Sequence, residues 1–290
     1  MSASGPRHVA AVALDRVHTA GRGSRPGPAA LARFAARWTG RVAPPAGLFA
    51  AVLVVWEWAV RMFGVPVYIL PPPSRIAEVL VSDRAMLFGD AVVTLAEVLL
   101  GFAVAFVVGI VLALAIFSSR TIERAVYPLV IASQTVPVFA IAPLLIVWFG
   151  YGMASKVAMA ALIVFFPIVV NTVDGLRAAD EDLVNLLRIL GAGQRRILYT
   201  IRIPAAMPFV FSGVRIAVAT SVIGAVIGEW VGATRGLGFE MIHANAQLHI
   251  DRVFAAIVYL STMALILFVA VSGTEWLVLP WRRGERPATR

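Results

Sequence analysis

Long apolar stretches separated by short polar ones make up most of this sequence. Each is close to or longer than the roughly 20 residues that a helix needs to cross a lipid bilayer. The stretches are residues 46–63, 91–117, 125–149, 154–173, 207–231 and 253–279. This pattern predicts an all-α integral membrane protein with about six transmembrane helices.

Arginine-rich polar segments bound the apolar part of the chain. Residues 1–45 contain many Arg, Gly, Ala and Pro residues, which predicts a partly disordered basic tail with a short amphipathic turn at 31–38. We expect residues 46–280 to form the transmembrane domain and residues 281–290 to form a second basic tail.

The distribution of basic residues between the apolar stretches predicts the orientation. With the N-terminus in the cytoplasm, eighteen arginines lie on the inner side, and the outer side holds six basic residues. Basic residues favour cytoplasmic loops. We therefore expect a multi-pass protein of the cell membrane with both termini in the cytoplasm and an even number of spans.

The third apolar stretch contains Pro128, Pro137 and Pro143. Each proline removes a backbone hydrogen bond, so this helix is predicted to be kinked or broken. Polar side chains just before Pro137 are available to the freed carbonyls, and this coincidence favours a helix that lines a conduit over a kink that only improves packing. The candidate pathway residues here are Gln134, Thr135, Pro137 and Pro143.

Two ionisable residues in the fifth stretch, Arg215 and Glu229, are further pathway candidates, because charge inside a membrane is usually functional. For Arg215 the alternative is that its side chain reaches back to the inner interface. No chain of acidic residues is evident along the spans to relay protons, which argues against an ion-coupled pump.

Residues 174–204, between the fourth and fifth stretches, are patterned as amphipathic helices. The leucines at 183, 186, 187 and 190 share one helix face, and acidic residues 180–182 occupy its first turn. Gly191 can then adopt the left-handed cap conformation. A second amphipathic segment runs from residue 194 to 203, where Pro204 is predicted to end it.

The first of these helices is about 16 Å long at 1.5 Å per residue, which is too short to cross the bilayer. It is predicted either to lie on lipid or to dock a cytoplasmic protein. Its acidic first turn is unfavourable on an anionic lipid surface, which favours docking.

Composition excludes several other classes of protein. The chain is 60% hydrophobic and 14% charged, whereas soluble domains carry about 25% charged residues. The formal net charge is +9, but the basic residues lie in short stretches between spans, so lipid rather than nucleic acid is the expected partner. Without cysteine, and with four histidines that form no evident metal pair, the sequence predicts no metal site and no cofactor.

The segment after the predicted docking helix resembles the signature loop of binding-protein-dependent ABC importer permeases. That signature reads E-A-A, three residues, G, nine residues, I-x-L-P. Gly191 is followed after nine residues by Ile201-Arg202-Ile203-Pro204, in register with it. The sequence departs from the signature at its start, where Asn185, Leu186 and Leu187 stand at the E-A-A positions.

Other segments are similar to the nitrate, sulfonate, taurine and thiamine-precursor pyrimidine branch of this MetI-like family. They are LPPPS at 70–74, PVFAIAPL at 137–144, WFGYG at 148–152, GVRIA at 213–217, GLG at 236–238, EW at 275–276 and PWR at 280–282. The resemblance covers residues 45–285. The combination QTVP at 134–137 and IAP at 141–143 is most similar to pyrimidine permeases.

The resemblance implies a channel subunit with a cytoplasmic coupling helix between helices four and five. Its implied partners are a second permease subunit (a homodimer or pseudo-dimer), a cytoplasmic ATPase dimer that hydrolyses the ATP, and an extracytoplasmic binding protein that delivers substrate. The implied ATPase-coupling residues are Glu181, Asp182, Leu183, Asn185, Leu186, Leu187, Arg188, Leu190, Gly191, Ala192, Ile201 and Pro204.

The sequence argues against three alternatives to an ABC permease. An ion-coupled secondary transporter would show inverted repeats and midplane ion ligands. A membrane enzyme would need a nucleophile–base pair or a metal cluster. A structural membrane subunit would have no use for the prolines and Gln134 of the third stretch.

Overall fold

Helices account for nearly all of the regular structure in the computed structural model, which describes residues 28–281, with side chains from residue 43 onward. The predicted tail residues 1–27 and 282–290 lie outside this range. The helices are α1 (Pro28–Met62), α2 (Pro73–Ser82), α3 (Arg84–Ser118), α4 (Arg120–Ala132), α5 (Val138–Phe149), α6 (Met153–Arg177), α7 (Glu181–Ile189), α8 (Gln194–Ile197), α9 (Ile203–Gly232), α10 (Leu237–Ala246) and α11 (Ile250–Val278).

Five helical segments in the described part of the chain are long and apolar enough to cross a membrane, and α4 with α5 makes a sixth if the bent pair counts as one span. The predicted all-α fold class with about six spans is confirmed. The helices extend beyond the predicted apolar stretches: α3 begins at Arg84 rather than near residue 91.

The first span continues the helix of residues that composition assigned to the tail. Helix α1 begins at Pro28 and contains Pro44 and Pro45, and its membrane-compatible part begins at Ala43.

The third span is broken, as its prolines predicted. Helix α4 ends at Ala132, a 3₁₀ turn covers Ser133–Thr135, and α5 leaves at an angle of 105° after Pro137. The Ser133 and Thr135 hydroxyls donate to the carbonyls of residues 130 and 132, each at 2.7 Å. These bonds satisfy backbone groups that the break would leave without partners inside a bilayer.

Helix α6 forms the centre of the bundle, with α3 running parallel to it and α9 antiparallel. Glycines allow these helices to approach closely: a Cβ atom added at Gly101 would lie 3.2 Å from the carbonyl oxygen of Val157, and one at Gly213 would lie 2.7 Å from that of Pro167. Small residues at contacts are typical of membrane helices, which associate by close packing rather than by the hydrophobic effect.

The segment from Gln194 to Gly232 is helical throughout its 39 residues, because a π-helical turn at Leu198–Arg202 joins α8 to α9. The prediction that Pro204 ends the second amphipathic segment is therefore wrong. Pro204 follows the π turn directly, and such a local change of helical geometry accommodates a residue without an N–H, so the helix continues through the proline.

Candidate coupling surface and polar cluster

Helix α7 is fixed at both ends by local hydrogen bonds. The Asp180 side chain accepts a bond from the Asp182 N–H at 2.9 Å, so Asp180 is the N-cap. At the other end Gly191 has φ +79°, its N–H donates to the Arg188 carbonyl at 3.0 Å, and the Ala192 N–H donates to residue 187 at 2.9 Å. This is a Schellman cap, and the left-handed glycine predicted from the sequence is confirmed.

The apolar face of α7 is only partly used within the chain. Val184 is fully buried against the bundle, whereas Leu183, Leu186 and Leu190 are 49%, 51% and 71% exposed. Ile189, which the leucine spacing did not include, is 83% exposed. We call Leu183, Leu186, Ile189 and Leu190 the coupling surface. Four large apolar side chains exposed on one short helix are typical of a site that binds a partner.

Arg202 connects α7 to the rest of the bundle. Its guanidinium donates to the Glu181 carboxylate and to the Leu176 carbonyl, each at 3.1 Å, and lies 5.0 Å from the centre of the Phe117 ring. The side chain is only 12% exposed. One arginine therefore holds the first turn of α7 against the ends of α6 and α3.

The remaining predicted coupling residues lie near this surface. Leu187 and Ala192 are half-buried, Ile201 lies in the π turn, and the Asn185 amide oxygen accepts from Arg188 at 3.1 Å. Arg202 itself was not among the predicted site residues, because its contacts depend on how α3 and α6 end.

The six predicted pathway residues do not lie together. Gln134, Thr135, Pro137 and Pro143 are exposed at or near the α4–α5 break. Arg215 forms an ion pair with Glu275 of α11, with Nη1 2.8 Å from Oε2. Glu229 is buried near the C-terminal end of α9, in a cluster of polar side chains.

This polar cluster, formed by Asp90, Thr94, Glu97, Lys156 and Glu229, lies at the opposite end of α9 from the coupling surface. The Lys156 ammonium is 2.8 Å from the Glu97 carboxylate, and both side chains are almost completely buried. Of these five residues, only Glu229 was predicted from the sequence to be a site residue. Two signals were available: positions 90, 94 and 97 share one face of an apolar helix, and Lys156 is the only lysine in the chain.

Glu229 holds the N-terminus of α10. One carboxylate oxygen accepts the N–H groups of Gly238 and Phe239 at 2.5 and 3.2 Å, and the other accepts the Thr94 hydroxyl at 2.6 Å. The Thr94 oxygen in turn accepts the Leu237 N–H at 2.9 Å. A carboxylate at a helix N-terminus is stabilised by the unpaired backbone N–H groups and by the helix dipole.

Ion pairs connect α10 and α11 to the segment before α3. Arg252 lies 2.9 Å from the Asp83 carboxylate and 3.5 Å from that of Glu240, and Arg75 lies 3.1 Å from Asp251. Burial raises the pKa of the Glu240 carboxyl, and the nearby Arg252 guanidinium opposes this shift. In the described part of the chain, no three His, Asp or Glu side chains are grouped so that they would hold a metal ion.

Comparison with known families identifies the chain. Residues 105–278 match the family model described as "Binding-protein-dependent transport system inner membrane component". The matched region extends from the middle of α3 to the end of α11 and includes the coupling surface, Arg202 and Glu229. The chain belongs to this family of ABC importer permeases. It is therefore a multi-pass inner-membrane permease subunit and not itself the ATPase. Membership of this family rules out the three alternatives named from the sequence.

Similar proteins cover most of the permease. The formylaminopyrimidine transport permease protein ThiX of Halalkalibacterium halodurans is 41% identical over 83% of this chain and 96% of its own length. The riboflavin transport system permease protein RibX of Chloroflexus aurantiacus is 36% identical over 79% of this chain and 87% of its own length. Relatives named for taurine, aliphatic sulfonate and nitrate transport are 27–30% identical.

A solved structure shares the fold. The permease matches a chain of the MetNI methionine ABC transporter, crystallised in inward-facing conformations, with a TM-score of 0.59 over 68% of this chain and 97% of that one. The sequences are 18% identical, so this likeness concerns the fold alone.

Proposed function

We propose that this permease imports a thiamine-precursor pyrimidine, with formylaminopyrimidine as the candidate substrate, in a complex with a second permease copy, a cytoplasmic ATPase dimer and an extracytoplasmic binding protein. The named function of the ThiX relative supports the substrate, as do the QTVP and IAP segments at 134–137 and 141–143. The family supports the ATPase and the binding protein as partners.

The observation that carries the coupling part of the proposal is the exposed apolar surface of α7. Its side chains extend away from the bundle, while Val184 and Arg202 hold the helix to it. In the proposed complex this surface fills a groove on the ATPase, and Gly191 lets the chain turn close to the partner because it has no Cβ atom. Both termini are then cytoplasmic.

In this scheme ATP-driven closure of the ATPase pair displaces α7 as a rigid body. Arg202 passes the displacement to the ends of α3 and α6, and the continuous helix from Gln194 to Gly232 carries it across the membrane. The work comes from the different affinities of the ATPase for two permease conformations, as in any two-state coupling.

Polar groups at the α4–α5 break support a second permease copy and a pathway near it. Gln134 and Thr135 are both exposed at this break; the Thr135 hydroxyl is bonded to the Ala132 carbonyl, whereas the Gln134 amide would be costly in lipid. A partner subunit around an aqueous path would give them polar surroundings. Co-purification of two differently tagged copies from one membrane tests the homodimer, and recovery of one tag alone would contradict it.

Uptake measurements test the substrate. We expect cells that express the permease with its own ATPase and binding protein to accumulate labelled formylaminopyrimidine, and not labelled taurine, an alkanesulfonate, nitrate or riboflavin. Accumulation of one of these instead would replace the pyrimidine assignment by that of the corresponding relative. Accumulation that survives ATP depletion would contradict the ATP-driven mechanism itself.

Gly191→Asp tests the coupling surface. A Cβ atom at Gly191 meets no atom within 4 Å in the permease, so the substitution costs about 1 kcal/mol of left-handed backbone strain and leaves the fold intact. We expect normal membrane insertion, loss of ATPase binding in pull-down experiments, and loss of uptake.

Gly64→Asp is the matched control for that variant. Gly64 also has a positive φ, +60°, and open space around its Cβ position, but it lies after α1 and far from α7 in sequence. We expect this variant to bind the ATPase and to transport. Normal uptake by Gly191→Asp would show that the docking assignment is incorrect.

A further inference from the structure

The polar cluster offers a role for Glu229 other than that of a pathway charge. Both of its carboxylate oxygens are occupied within the chain, and the side chain is 1% exposed. Its partners are the first N–H groups of α10, the hydroxyl of Thr94 on α3 and the neighbouring Glu97 side chain. A fully bonded carboxylate buried at a helix N-terminus is suited to holding that helix in place.

The sequence around α10 is adapted to this contact. A Cβ atom at Gly236 would collide with the Glu229 carboxylate, and one at Gly238 would lie 2.8 Å from its Oε2 atom. Gly236 also has φ +124°, a value that other residues rarely adopt. These two glycines leave room for the carboxylate, which explains the GLG segment in physical terms.

Glu229 lies near the C-terminal end of the continuous helix that begins at Gln194, shortly after the coupling surface. We propose that Glu229, with Thr94, is the positioning residue that fastens α10 to α9, so that a displacement received at the coupling surface reaches the outer end of the permease as movement of α10. This inference rests on the proposed orientation, with α7 inside and α10 outside.

Cysteine labelling tests the fastening directly, because the natural chain contains no cysteine. Ala244 of α10 is completely buried and Ala246 is exposed. In the assembled transporter in whole cells, we expect a membrane-impermeant maleimide to label Ala246→Cys rapidly and Ala244→Cys slowly. The Ala246 result also tests the orientation separately, since a cytoplasmic α10 would leave both positions unlabelled.

Two variants separate hydrogen bonding from charge. Glu229→Ala removes the carboxylate oxygens that accept the hydrogen bonds of α10. Losing bonds to a charged group shifts the equilibrium between docked and detached α10 by about 10- to 100-fold. We therefore expect Ala244→Cys labelling to accelerate by that factor. Glu229→Gln keeps one oxygen that accepts the α10 N–H groups, and its amide N–H can donate to the Thr94 oxygen. The Thr94 hydroxyl can then donate to the Asp90 carbonyl, which lies 3.1 Å away. We expect slow labelling and formylaminopyrimidine uptake to persist in this variant.

Thr94→Val supplies a second measurement, since it keeps the Glu229 carboxylate but removes the hydroxyl that bonds both this carboxylate and the Leu237 N–H. We expect Ala244→Cys to be labelled faster with Thr94→Val than without it. In both Thr94→Val and Glu229→Ala we expect ATP hydrolysis to continue without matching uptake. Protection of Ala244→Cys in both variants would overturn the proposal, as would equal labelling in the Gln and Ala variants. Loss of uptake in Glu229→Gln with Ala244→Cys still protected would instead assign Glu229 to the pathway by its charge.

Discussion

The only lysine of the chain, Lys156, lies inside the helix bundle and not at its surface. Its ion pair with Glu97 joins α6 to α3 at 2.8 Å, and neither side chain has more than 10% exposure. A buried charge that loses its partner is strongly destabilising, whereas replacing both partners by neutral groups is often tolerated. We therefore expect the pair to fix the register between α3 and α6 more than it adds net stability.

A double-mutant cycle checks this interpretation. We expect Lys156→Met alone to destabilise the permease by about 3–5 kcal/mol, since Glu97 is then left charged and buried. Glu97→Gln combined with Lys156→Met is expected to recover most of that loss. The measurement is thermal unfolding in detergent of the two single variants and the double variant, and strictly additive effects would show that the two residues do not interact.

Helix α7 was predictable because the residues that define it are neighbours in the sequence. The polar cluster was not, because its residues come from distant parts of the chain. The leucine spacing, the acidic first turn and Gly191 all lie within twelve residues and each acts through neighbouring backbone. Glu97 and Lys156 are 59 residues apart, so their contact depends on the register of two helices. The same reason hides the partners of Arg202 and the ion pair between Arg215 and Glu275.

At the scale of single elements, α7 is a short helix whose position depends on one side chain. Arg202 contacts α7, α6 and α3 together, although it lies in the π turn that precedes α9. Because that turn continues into a membrane-spanning helix, Arg202 joins α7 by side-chain contacts to the residues that lead into α9.

Arg202→Ala is expected to reduce uptake by roughly tenfold or more while ATP hydrolysis continues, because α7 is then held less firmly to the bundle; hydrogen bonds to charged groups contribute about 1.5–3 kcal/mol. Arg196→Ala is the matched control, since Arg196 is exposed on the adjacent α8. The measurement is uptake per ATP hydrolysed in reconstituted vesicles. A ratio unchanged by Arg202→Ala would contradict the proposed linkage.

The contact between α6 and α9 depends on the absence of side chains. Gly213→Ala brings a Cβ atom within 2.7 Å of the Pro167 carbonyl, so the helices have to separate. We expect a loss of about 1–3 kcal/mol, as for other overpacked cores. Gly273→Ala in α11 meets open space and is expected to be neutral or stabilising by up to about 1 kcal/mol. Melting temperatures in detergent distinguish the two, and equal shifts would count against close α6–α9 packing.

At the scale of the whole molecule, the distribution of arginine and the order of helices predict one orientation in the membrane. The described fold places the coupling surface and the polar cluster at opposite ends of α9, as an importer requires when its motor and its binding protein act on opposite sides. Fold class and span number were predictable because apolar length is a local property. The first and last residues of the helices were less predictable, since α3 carries polar residues such as Asp90 that are buried only in the bundle.

Single cysteines in the otherwise cysteine-free chain test the orientation. We expect Ser118→Cys and Thr200→Cys to react with an impermeant maleimide only after the membrane is permeabilised, and Tyr151→Cys and Ala246→Cys to react in intact cells. All four positions are exposed in the permease. Labelling of Thr200→Cys in intact cells would place the coupling surface out of reach of any cytoplasmic motor.

The ion pair between Glu97 and Lys156 also has a consequence for how the protein is made. On the ribosome Glu97 emerges 59 residues before Lys156, a delay of about 3 to 12 s at usual rates of synthesis. A charged side chain alone in hydrocarbon costs roughly 2.5–3.5 kcal/mol or more. A second span that enters the lipid before the fourth is made therefore carries Glu97 without its partner until Lys156 arrives.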